Sequence, residues 1–113
     1  MFEVKGGIVS NGDKSVAFKF HILKYIIINE DRIIILLDIP NVSPVINNIY
    51  CLNGNLECVW RVYPLERKYR TIRAFPYEDI LLDNGELFAF DVIGRRYEIN
   101  IETGDVLRYK LFK

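Results

Sequence analysis

An all-β fold is what this sequence predicts, and three observations carry the prediction. Ile, Val and Thr together number 27 and Phe, Trp and Tyr 15, whereas Ala occurs only at Ala17, Ala74 and Ala89. β-Branched and aromatic side chains suit a pleated, half-buried surface, and a shortage of Ala removes the best helix former. Short apolar runs alternate with Gly, Asn, Asp and Pro at strand-plus-turn spacing, and no stretch holds a 3.6-residue apolar period over three turns. With 50% of its 113 residues apolar, the chain will bury a core, and its length suits one domain spanning 1–113. The expected arrangement is an antiparallel meander of about eight to ten strands.

Taken in order, Asn11-Gly12-Asp13 reads as the first turn, between a strand near Phe2–Ser10 and another near Ser15–Ile22. Tyr25–Ile28 and Ile33–Ile39 flank the polar tip Asn29-Glu30-Asp31-Arg32. The run Ile33-Ile34-Ile35-Leu36-Leu37 is apolar on both faces, which places it in mid-sheet, covered on both sides. Pro40 to Pro44 form a loop, because proline cannot donate to a ladder. Asn48–Asn53 and Leu56–Tyr63 flank Gly54-Asn55, which suits a two-residue primed turn. That register sets Cys51 opposite Cys58 at a Cα separation of about 5.5 Å, within disulfide range, although two small core thiols are the plainer reading.

Pro64 to Arg67 interrupt the pattern, and Lys68–Phe75 reads as an irregular strand ended by Pro76. Ile80–Asp83, the turn Asn84-Gly85, Glu86–Val92, a bend at Gly94, Arg95–Ile101, the turn Glu102-Thr103-Gly104 and Val106–Phe112 complete the chain. Arg96 to Ile101 alternate, with Tyr97, Ile99 and Ile101 inward and Arg96, Glu98 and Asn100 outward.

Charge excludes some classes of function. Basic and acidic residues number 15 each, so the surplus positive charge of a general DNA binder is missing. The distribution is uneven. Residues 58–77 carry Arg61, Arg67, Lys68, Arg70 and Arg73 against Glu66 alone, whereas residues 78–113 hold eight acids against five bases. Two cysteines are too few for a disulfide scaffold. Met1 to Gly7 lack the basic start and apolar run of a signal peptide. Asn29-Glu30-Asp31-Arg32 interrupt the longest apolar region, and each charge there would cost about 2.5–3.5 kcal/mol at a bilayer centre, so no membrane span is expected. A cytoplasmic address with reduced thiols follows.

The two halves echo each other. Tyr25 to Trp60 gives strand, polar turn, strand ending at Asp38, loop, strand through Tyr50, Gly turn and a strand with Trp60. Tyr77 to Tyr109 gives strand, Asn84-Gly85, strand reaching Asp91, Gly94, strand through Tyr97, Thr103-Gly104 and a strand with Tyr109. Each unit has the size of one four-stranded propeller blade. The division is therefore edge strands in 1–24, a first blade-like repeat in 25–63, a connection in 64–76 and a second repeat in 77–113, forming an incomplete propeller, a sandwich or a barrel.

Asn48 to Trp60, with its Gly turn and closing Trp, resembles the repeats of pyrroloquinoline-quinone-type β-propellers, as does Tyr97 to Leu107. Over residues 25–110 the chain is similar to a group of small bacterial all-β proteins of uncharacterised role, which share a run like Ile33 to Pro40, a Gly-turn hairpin ending in Trp and a closing Tyr-x-Ile-x-x-x-Thr-Gly segment. The resemblance implies a fold and no activity. Two blades cannot close a propeller ring, so no quinone or other cofactor is expected, and self-association is.

Candidate chemistry is sparse. His21, the only histidine, sits beside Phe20 and Ile22 and reads as structural; Ser10, Ser15 and Ser43 lie near turns, with no nucleophile elbow. One His and two Cys cannot complete a four-ligand zinc site, and no glycine pattern makes a phosphate loop. Asp38 and Asp91 occupy matching strand ends, where they could act as an acid–base pair in a hydrolase, although strand-end aspartates more often fix turns. The leading surface runs from Tyr63 to Arg73. Arg67, Lys68, Tyr69, Arg70 and Arg73 combine fixed charge with an aromatic face, suited to an acidic protein partner or, as an alternative, to single-stranded nucleic acid. Arg95 and Arg96 would extend this patch, but alternation sends them to opposite faces. Trp60 reads as core. The expectation is a non-enzymatic protein-interaction module, of the accessory or immunity type that the resemblance suggests, with nucleic acid and hydrolysis as alternatives.

Overall fold

The structure, a computed structural model, describes residues 1–40 and 46–111. Eleven strands form three antiparallel sheets among these residues, each a meander in chain order. The first holds β1 (Phe2–Lys5), β2 (Ile8–Asn11) and β3 (Lys14–Ala17); the second holds β4 (Ile22–Asn29), β5 (Arg32–Leu37), β6 (Ile49–Leu52) and β7 (Cys58–Arg61). The third holds β8 (Tyr77–Asp83), β9 (Glu86–Asp91), β10 (Arg95–Ile99) and β11 (Val106–Leu111), and one helical turn, α1 (Leu65–Lys68), lies between the second and third sheets in sequence.

The sheets stack face to face, and period-two burial explains the order. On β5, Ile33, Ile35 and Leu37 turn toward the first sheet and pack with Phe2 and Val9. Ile34 and Leu36 turn the other way and join Ile80, Leu87 and Tyr97 of the third sheet. The expected central strand is thus confirmed, because its unbroken apolar run is covered on both faces. Burying each such side chain contributes about 1.5–3 kcal/mol, so this one strand is a main source of cohesion between layers. No barrel closes: the stack ends at the first sheet in a face carrying Glu3, Lys5, Ser10 and Ser15, and at the third in one mixing Phe88 and Phe90 with Glu98 and Arg108.

Asn48 ties the second sheet to the third. Fully buried, it donates through Nδ2 to the carbonyls of Leu37 (2.8 Å) and Tyr77 (2.9 Å) and accepts the Tyr77 N–H at Oδ1 (2.8 Å). Buried polar side chains persist where all their hydrogen-bonding groups are met, as here.

Several expectations need correction. Within residues 1–24, Ile22 to Lys24 begin β4, the edge strand of the second sheet, whereas Phe2–Ser10 breaks at Gly6, whose φ of +61° permits a tight turn, and the resulting β1–β3 make a layer of their own. The Asn84-Gly85 turn is as expected, with both residues at positive φ as a type I′ turn requires. The Gly54-Asn55 turn is not. Leu56 takes the left-handed conformation at φ 62°, its N–H reaches the Asn53 carbonyl, and the loop closes through the Asn53 N–H to Glu57. This three-residue loop moves the ladder by one, setting Leu52 opposite Cys58, and a further register shift between Cys51 and Leu52 sets Cys51 opposite Trp60. Both thiols are free, Cys51 buried and Cys58 exposed. Lys68–Phe75 contains no strand; Leu65–Lys68 is a helical turn and the remainder is irregular. Of the Pro40–Pro44 loop, residues 41–44 lie outside the described residues, as does Phe112.

Candidate interaction surface

The connection between the second and third sheets is anchored by four apolar side chains spaced two to four positions apart. Leu65 is buried, and Tyr69, Ile72 and Ala74 pack against the core shared by the two sheets. A four-residue helix has little stability of its own, so α1 is held by this packing. Backbone bonds add to it: Tyr63 N–H to the Gly104 carbonyl (2.9 Å), Tyr69 N–H to Leu65 (2.8 Å) and Ile72 N–H to Tyr69 (3.2 Å).

Inward anchoring decides what faces out. Arg67, Arg70 and Arg73 are exposed and make no ion pair among the described residues. Lys68 instead meets Asp105 (Nζ to Oδ1 3.1 Å), and Tyr69 turns inward, edge-to-face on Tyr109 at 4.9 Å between centroids. The five residues singled out by sequence therefore separate into three displayed arginines, one paired lysine and one packed tyrosine. Tyr63 is the exposed aromatic neighbour. Arg73 lies over the Phe75 ring at 5.1 Å.

The end of the connection is fixed by Arg95, which the sequence offers as an extension of the patch and which the structure turns inward. Arg95 is buried and its guanidinium donates to the Arg73 carbonyl (2.7 Å) and, through Nε, to Asp91 Oδ2 (2.8 Å). Asp91 also accepts the Tyr97 hydroxyl at 2.7 Å and, at Oδ1, the Arg95 and Ile93 amides. Burial raises the Tyr97 hydroxyl above its ordinary pKa, reinforced by this bond to a carboxylate. Alternation along β10 turns Arg95 inward and Arg96 outward, the opposite faces expected from the sequence.

The two aspartates proposed as a pair do not meet in one cleft. Asp38 borders a cleft of about 460 Å³ with Leu23, Ile39, Pro40, Tyr77 and Glu78, and Asp91 is not part of its lining. Asp91 is committed to the Arg95–Tyr97 network. No cluster of three His, Cys, Asp or Glu able to hold a metal occurs among the described residues, and no helix there is long and apolar enough to cross a membrane. His21 is exposed, with its carbonyl accepting the Asp38 N–H.

Trp60 bears out its reading as core. It is buried, donates from Nε1 to the Ile101 carbonyl at 2.9 Å, and lies against Gly104. Glu86, Glu98, Glu102 and Leu107 are among the residues that line an open groove of about 320 Å³ beside the β10–β11 turn.

The chain is thus an all-β protein of three stacked meanders whose inter-sheet connection is a built part of the core rather than a loose loop. It belongs to the family described as Domain of unknown function (DUF7957), whose model matches residues 1–111. No curated protein and no solved structure matches the chain.

Proposed function

We propose that this protein is a non-enzymatic interaction module that recognises an acidic protein surface through Arg67, Arg70 and Arg73. One observation carries the reading: Leu65, Tyr69, Ile72 and Ala74 hold the connection against the core while the three arginines are exposed and make no ion pair among the described residues. Display from a fixed backbone lowers the ordering cost of binding, and arginine is favoured wherever carboxylates are gripped in a bidentate manner. An accessory or immunity-type role in the cytoplasm fits such a module.

The nucleic-acid alternative is weaker because Tyr69, the aromatic platform it needs, packs inward on Tyr109. The hydrolase alternative loses Asp91 to its buried ion pair with Arg95. Fluorescence anisotropy with a glutamate-rich peptide and a single-stranded oligonucleotide tests the choice. Peptide binding that is lost in Arg67→Ala/Arg70→Ala/Arg73→Ala supports the proposal. Tighter, steeply salt-dependent binding of the oligonucleotide, or peptide binding that survives the triple substitution, overturns it.

A further inference from the structure

Acidic side chains outnumber basic ones at one end of the stack, where Lys14 and Arg32 are the cations of the same turns. The turns at one end of the stack, together with the strand ends beside them, carry Asp13, Glu30, Glu57, Asp83, Glu86 and Glu102, none of which makes an ion pair among the described residues. The arginines of the connection supply the opposite charge. The two regions abut: Lys68 of the connection meets Asp105 of the β10–β11 turn, and the same turn places Glu102 in the groove with Glu86, Glu98 and Leu107. Glu98 already has Arg108 at 3.4 Å, whereas Glu86 and Glu102 make no ion pair among the described residues. Leu107, among the exposed large apolar side chains, offers the groove a surface for an aliphatic stem.

We propose that the acidic surface recognised by this protein is that of a second copy of the chain, joined about a two-fold axis near the Lys68–Asp105 border so that Arg67 and Arg70 of each copy enter the Glu86–Glu102 groove of the other. This rests on the reading of the arginine surface given above and names its partner. A patch that carries both signs side by side is self-complementary under two-fold rotation, and rotation makes every contact twice. It also closes the assembly at two copies. Zero net charge removes the overall repulsion that would keep copies apart, while opposite local fields steer them together.

Sedimentation of the full chain at low and high salt tests this, because contacts between exposed charges weaken as the screening length falls from roughly 20 Å at about 20 mM salt to below about 5 Å at about 500 mM. A dimer that dissociates at high salt is expected. Arg67→Glu/Arg70→Glu and Glu86→Lys/Glu102→Lys should each weaken it at least about tenfold, and the four substitutions combined in one chain should restore it, since the contact is then reversed in sign on both sides. A monomer at low salt overturns the inference, as does a dimer indifferent to both double variants. If the wild type is monomeric yet still binds the glutamate-rich peptide through its arginines, only the choice of partner falls. If the arginine variants lose neither peptide nor dimer, the arginine surface itself is refuted.

Discussion

Trp60 and Gly104 interlock across the second and third sheets. A Cβ on Gly104 would lie 2.5 Å from Cε3 of the indole, and the glycine has φ +77°, so both the space and the backbone conformation exclude a side chain. The same turn accepts the indole N–H through Ile101 and the Tyr63 N–H through Gly104. One turn thus seats the end of β7 and the start of the connection that follows it.

Gly104→Ala should therefore destabilise the fold by about 3 kcal/mol, combining left-handed strain with overpacking against Trp60. Trp60→Phe, which loses the indole bond and part of the ring, should cost less than half of a typical buried-tryptophan deletion to Ala. Urea midpoints for the two variants check the order.

Asp91→Asn should be severe, at about 3–5 kcal/mol, because it leaves the Arg95 guanidinium buried without its counter-charge. The pair Asp91→Leu/Arg95→Met should be less destabilised than Asp91→Asn alone. Thermal unfolding of both variants decides this, and a double variant worse than the single one would contradict the assignment of the buried pair.

Alkaline pH should unfold the protein. Burial raises the hydroxyls of Tyr77 and Tyr97 above their ordinary 10.0, so the folded chain holds these protons more tightly than the unfolded chain. Their contribution is fully present below pH 10.0 and is lost as pH rises past it. Urea midpoints measured from about pH 8 to about pH 11 should fall at the upper end, and Tyr97→Phe should flatten the fall.

The thiols should separate by position. Burial pushes Cys51 up to about 11, whereas Cys58 is exposed, though its thiol is also raised by partial burial. A thiol reagent at about pH 8 should modify Cys58 first and reach Cys51 only on unfolding, because the thiolate is the reactive form. Mass spectrometry of the peptides gives the answer.

Much of the fold was legible because burial here has period two. Ile33 to Leu37 announced a strand covered on both sides, and Asn84-Gly85 announced its turn, since each depends on local chemistry. The layer made by Phe2 to Ala17 was not legible. A four-residue strand such as Phe2–Lys5 is too short for its alternation to stand out, and Gly6-Gly7 interrupts what reads as one run. The Gly54 loop misled because Leu56, not a glycine, takes the left-handed position, and one added loop residue moved Cys51 away from Cys58. At the candidate surface, charge was readable from Arg67, Arg70 and Arg73. The inward turn of Tyr69 depends on Tyr109, forty positions away, and no local pattern reports it.

The connection is fixed to the core and so presents its arginines from a rigid frame. Hydrogen–deuterium exchange resolved to single amides tests it directly at Tyr69, Ile72 and Tyr63, whose N–H groups are bonded to Leu65, Tyr69 and Gly104. Protection at these three amides approaching that of β5 is the expected result. Exchange as fast as in a free peptide would show a solvated linker and contradict the claim.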